Sequence, residues 1–217
     1  MVAKFSVLSV REFCGWDTLG QILENAEPDW VRDAVVLLFK TGCRVSELTL
    51  IQDVKEKGDF VRVWMGVRKK YEKVSEVEKV KCVGHCHMRW LKGQEPKPPH
   101  PHNLREYTGW VTRPVERVRV FSFPLAERWS DLFLEAVGRY QPRCRAWVYL
   151  KVREAGEKAG VRITPHWFRA QRACQLVEEY DFGDWELLEW FDWRNLQMAH
   201  HYARLGLRKL EEKMRTR

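Results

Sequence analysis

Thr164-Pro165 fixes the start of a helix more tightly than any other pair in this chain. The threonine suits the capping position. The proline, at the first helical position, is pre-set to a helical φ and lacks an N–H that would go unpaired there. With that register set, His166 and Arg169 leave the same helix face, about 5–6 Å apart. Both can then touch the oxygens of a single phosphate. Arginine suits that task because its planar fork donates two hydrogen bonds and stays charged.

Apolar residues recur at helical spacing in Thr18–Glu24 and Trp30–Lys40, with Pro28 where the second helix tolerates it. Gly42 stops that helix, and a short helix from Arg44 to Leu50 starts at once, which holds Arg44 at a rigid corner. Phe60–Met65 and Arg117–Phe123 alternate as strands do. Between them, Val67–Val115 contains five of the nine prolines, four of the seven histidines and a dense run of lysines. Leu125–Tyr140 and Arg143–Ala159 read as amphipathic helices split by Pro142, and Gly160 ends the second. The helix opened by Thr164 runs to Tyr180. Trp185–Phe191 then leads to a last helix, Asn195–Met214.

A chain of 217 residues suits one domain with a real core. Its longest apolar run, Ala34–Phe39, is too short to cross a bilayer, and we expect a cytoplasmic protein. The net charge of +8 fits a polyanion binder, and equally plain solubility. Six scattered cysteines without framework spacing imply free, mostly buried thiols.

Upstream, Thr41-Gly42-Cys43-Arg44-Val45-Ser46-Glu47-Leu48 supplies a second arginine, and Tyr202 follows Trp193 by nine residues. An arginine in T-G-x-R-x-S-E-L, an H-x-x-R helix, a Trp or His, and a late Tyr resemble the tyrosine recombinases (integrases). The resemblance runs from about Asp17 to Leu205 and is closest to archaeal integrases, which share the W-F-R-A-Q-R-A helix. It implies an α+β, mostly helical catalytic domain with a small antiparallel sheet at one edge. The Val67–Val115 stretch then reads as an insertion at a hairpin tip, within a single domain spanning residues 1–217 that lacks the family's N-terminal DNA clamp.

The roles follow from the family. Arg44 and Arg169 hold one phosphate, Tyr202 attacks it, and His166 acts as base. Trp193 takes a position that is His in most relatives, and its indole can donate a hydrogen bond but not shuttle protons. Glu47 supports Arg44. The general acid is a hairpin lysine, for which Lys69 and Lys70 are the candidates, although relatives often place it just before the second strand, where Glu116-Arg117 stand here. Arg68 and Lys73 are expected DNA contacts, unless the lysines of this stretch form only a solvated face. The partner is double-stranded DNA, bound by a tetramer that can be monomeric in solution. No metal and no cofactor is needed.

Singly, His166, Trp193 and Tyr202 have ordinary structural explanations, and the reading rests on their order and spacing. Three alternatives stay open: a type IB topoisomerase-like nicking-closing enzyme, a catalytically impaired DNA-binding relative, and a zinc module. The last would draw on Cys82, His85, Cys86 and His87, with His100 and His102. Their spacing matches neither C-x2-C nor H-x3-H, and a strand from Lys79 to Trp90 explains the segment without metal.

Overall fold

The chain is described here by a computed structural model, which covers residues 12–67, 71–76, 80–81, 106–107, 110–114, 117–193, 195–203 and 214–215. Contacts divide it into two compact units, residues 1–65 with 119–217, and residues 66–118.

The first unit is built around two helices. Helix α1 (Trp16–Glu24) precedes α2 (Asp29–Thr41), which is apolar on every side from Ala34 to Phe39 and buried throughout that run. A helix with no polar face has to lie inside the fold. Helices α3 (Ser130–Arg139) and α4 (Arg145–Lys158) pack on it, as does α5 (Pro165–Tyr180). Helix α5 is the second central element, buried from Trp167 to Val177 although it carries Arg169, Gln171, Arg172 and Gln175. Helices α6 (Asp184–Phe191) and α7 (Leu196–Ala203) close the unit. Asn195 caps α7, its side-chain oxygen accepting the Gln197 N–H at 2.8 Å.

Gly42 ends α2 in the left-handed conformation (φ 55°). Any Cβ there would also run into the Phe191 ring, so glycine is required twice over. The Arg44–Leu50 helix is a 3-10 turn, Val45–Leu50, with Arg44 extended just before it. The expected strands are present as β2 (Phe60–Val67) and β7 (Arg117–Pro124). An edge strand, β1 (Ile51–Lys57), pairs antiparallel with β2 and gives a three-stranded sheet ordered β1-β2-β7. It carried no sequence signal because Ile51 and Val54 are its only apolar residues.

One boundary differs from expectation, and two other expectations are met only in part. Helix α3 starts at Ser130 rather than Leu125, because residues 125–129 turn and Trp129 takes a left-handed φ of 70° against Trp16 and Phe39. Thr164 occupies the capping position of α5, but its hydroxyl makes no cap bond and its carbonyl accepts the Trp167 N–H instead. Helix α7 is described to Ala203, and residues 204–213 of the expected Asn195–Met214 helix lie outside the described residues.

In the second unit, β3 (Tyr71–Glu76) pairs antiparallel with β6 (Trp110–Pro114), and β4 (Val80–Lys81) pairs with β5 (Glu106–Tyr107). Most of the expected Lys79–Trp90 strand lies outside the described residues. No described helix is long and apolar enough to cross a membrane.

Candidate active site

The corner after α2 holds Arg44 as its sequence predicts. Glu47 accepts the Arg44 backbone N–H at 2.8 Å and, through its other oxygen, an Nη1 hydrogen bond at 2.9 Å. The Glu47 side chain is 2% exposed and that of Arg44 34%. One buried carboxylate thus fixes both the backbone and the guanidinium, which is more than an exposed surface pair achieves.

Helix α5 presents His166 at its first turn, exposed, and Arg169 one turn deeper, 3% exposed. The Arg169 Nη1 donates to the Gly42 carbonyl at 2.5 Å and Nη2 to the Phe191 carbonyl at 3.2 Å. Its guanidinium also lies 4.7 Å from the Phe191 ring centre and 5.4 Å from that of Trp193. Among the described residues, two of its five N–H groups are therefore committed to the protein.

The turn after α6 orders the aromatic side of the site. Asp192 adopts the left-handed conformation (φ 51°), which an aspartate tolerates better than most residues. Phe191 and Trp193 then stack at 4.5 Å and 15°, and Trp193 stacks on Tyr202 at 5.5 Å and 19°. Trp193 is a packing residue here, 8% exposed, with Tyr202 at 7%. Two histidines, His200 and His201, precede Tyr202 on α7. Both are exposed, His200 pairing with Asp184 at 3.1 Å and His201 standing edge-on to the Tyr202 ring.

Electrostatics ties these groups together. Partial desolvation, then the charges of Arg169 and Arg44, hold the His166 imidazole below the ordinary histidine range, so it is neutral at pH 7. Burial, then the charges of Arg119 and Arg44, push Arg169 down to about 9, and it stays cationic at neutral pH. Burial raises the Tyr202 phenol above its usual value, with Cys174 adding to the rise and Arg169 opposing it. Such a phenol needs a base if it is to act as a nucleophile. A neutral imidazole in the same positive field is a suitable acceptor.

Sequence reasoning did not single out two further groups. Arg119 on β7 is 6% exposed, its Nη1 donating to the Trp190 carbonyl at 2.9 Å and its Nη2 to that of Thr41 at 2.6 Å. The signal was its register, since it shares the buried face of β7 with Phe121 and Phe123. Behind the site, Glu127 binds the buried cations Lys40 and Arg172. Nothing local marks that triad, because its members lie far apart in the chain.

Arg68, Lys69 and Lys70 lie outside the described residues, as do Cys82, His85, Cys86, His87, His100 and His102. Lys73 stands on β3, where only the backbone is described. Among the described residues, no three His, Cys, Asp or Glu cluster as a metal site would require. Of the four described cysteines, Cys43 and Cys174 are buried, Cys14 is partly so and Cys144 is exposed.

The chain belongs to the phage integrase family, whose sequence pattern matches residues 16–207. Its fold is that of the tyrosine-recombinase catalytic domain. It resembles the XerH site-specific recombinase bound to its difH substrate in a pre-cleavage complex (TM-score 0.52, 13% identity) and the XerA recombinase (TM-score 0.52, 16% identity). Both matches cover 94% of this chain, but only 53% of the XerH chain and 63% of the XerA chain. No functionally curated protein matches it in sequence.

Proposed function

We propose that this chain cuts and rejoins double-stranded DNA as a site-specific recombinase, through a 3′-phosphotyrosyl link on Tyr202. One observation carries the reading. Two guanidiniums, an imidazole and a phenol from three separate elements share one electrostatic environment, in which Arg44 and Arg169 act on His166, and Arg169 acts on Tyr202. Arg44 and Arg169 neutralise the charge that builds on the phosphorus. The Tyr202 oxygen bonds to phosphorus as its proton passes to His166, and the bond from phosphorus to the 5′ oxygen breaks. A lysine of the 66–118 unit, Lys69 or Lys70, protonates the leaving oxygen. Attack by a 5′-hydroxyl from another strand reverses the step, so the link conserves bond energy.

Within the family, the W-F-R-A-Q-R-A helix favours the archaeal integrases as nearest kin. We read residues 67–115 as a hairpin insertion, with Arg68 and Lys73 on the DNA backbone. The active assembly is a tetramer on two duplexes.

Covalent capture tests the reading. A suicide duplex nicked near the cleavage point should trap the protein on DNA in excess EDTA, and Tyr202→Phe should form no adduct. Equal trapping by the phenylalanine variant would overturn the nucleophile assignment. Relaxation of supercoiled DNA without a defined site would instead favour a nicking-closing enzyme.

A further inference from the structure

Arg119 has an unusual environment for a buried cation. Its guanidinium meets two carbonyl oxygens, the Met65 sulfur at 3.3 Å and the Phe121 ring at 4.6 Å, with no carboxylate within ion-pair distance among the described residues. Burying a guanidinium without a counter-ion costs several kcal/mol by order of magnitude, so an aliphatic side chain would fill this space more cheaply.

The carboxylates of Glu47 and Asp192 act on Arg119 only from beyond that distance, and what meets it directly is a pair of helix ends. Thr41 is the last residue of α2, and Trp190 lies in the last turn of α6. Both carbonyls belong to helix C-termini, where unpaired oxygens and the helix dipole concentrate negative charge. Arg169 repeats the pattern one residue further on, bonding Gly42 and Phe191. The two arginines therefore form successive rungs between the same two turns. One turn leads into Arg44 and the other into Trp193, against which Tyr202 stacks.

We infer that Arg119 is a positioning residue, a strap that holds the Arg44 turn and the Trp193 turn in register and masks their carbonyls from the phosphate. Because Arg119 holds the outer pair, Arg169 spends only two of its donors on the described residues. Loss of the strap bares two oxygens beside a site built for negative charge. The strap itself is a matter of contacts, while its effect on the reaction rests on the strand-transfer reading.

Arg119→Met and Arg119→Lys test it, the lysine keeping the charge but unable to span both carbonyls. Hydrogen exchange read by mass spectrometry needs no activity. Arg119→Met should lose protection in residues 41–44 and 190–193 together. Retained protection at either turn overturns the strap. If Arg119→Met does not fold, the same measurement on Arg119→Lys decides, with one turn expected to loosen.

On a suicide duplex at saturating protein, adduct formation by Arg119→Met should slow by roughly 10²-fold, the scale of a small misplacement of reacting groups. DNA affinity should change much less. The deficit should shrink on a duplex whose scissile phosphate is a methylphosphonate, which lacks the charge that the bared carbonyls repel. An equal deficit on both substrates, or none, overturns the positioning role. If the unaltered protein forms no adduct, the strand-transfer reading fails and the exchange result alone decides the strap.

Discussion

Glu127→Gln removes one negative charge from the core without changing its volume. The Glu127 carboxylate accepts Lys40 at 3.0 Å and Arg172 Nη2 at 3.2 Å, and it also takes Arg172 Nη1 and the Gln175 amide. The side chains of Lys40 and Arg172 are both 0% exposed. At such separations each attraction is worth about 5 kcal/mol with an effective dielectric of about 20, and desolvation offsets much of it. Arg172, and Lys40 where it is protonated, would then lose their nearest counter-ion, and breaking one side of a buried pair typically costs about 3–5 kcal/mol. For a chain of this size, that lowers the melting temperature by roughly 6–20 °C.

Lys40→Met is the control, because it leaves Arg172 and Glu127 as a balanced pair and should cost less than half as much. Lys40 also sets a pH signature. Burial, with Arg172 adding and Glu127 opposing, depresses it from 10.5 to about 7. Between those values the unfolded chain holds the proton that the folded chain has released, so raising the pH favours the fold. The stability difference between the parent and Lys40→Met should therefore shift toward the parent from pH 7 to 10.5. Urea titrations and thermal melts across that range supply the test. A Glu127→Gln loss under about 1 kcal/mol, or an equal loss from Lys40→Met, refutes the counter-ion argument.

Three further outcomes are expected. Gly42→Ala should lose about 1–3 kcal/mol by denaturant titration, because its Cβ meets the Phe191 ring and its backbone is left-handed; a neutral result would show that the α2 and α6 turns are not in tight register. The acid limb of the cleavage rate should fall below the ordinary histidine value, since His166 is depressed, and should vanish in His166→Ala; a limb at or above that value refutes His166 as the base. Lys69→Ala or Lys70→Ala should slow cleavage by about 10²–10⁴-fold, and a 5′-phosphorothiolate substrate, whose leaving group needs no proton, should restore the rate; no slowing by either variant moves the search for the acid to Lys73 or Arg117.

Local sequence determined the elements that depend on a few neighbouring residues. Thr164-Pro165 started α5 and put His166 and Arg169 on its first turns, because the φ restriction of a proline at the first helical position acts within one turn. Gly42 ended α2, and Glu47, three residues after Arg44, held that arginine through contacts local to the corner. Tertiary structure decided the rest, because long-range pairing leaves no mark on adjacent residues. Arg119 and Arg169 join turns separated by more than a hundred residues of chain. The charges of Lys40, Glu127 and Arg172 become compatible with the core only once α2, α5 and the turn before α3 meet. The stack of Phe191, Trp193 and Tyr202 likewise depends on how α7 folds back on α6. A sequence can name the groups that bind a phosphate, but only packing sets which of their donors remain free to do so.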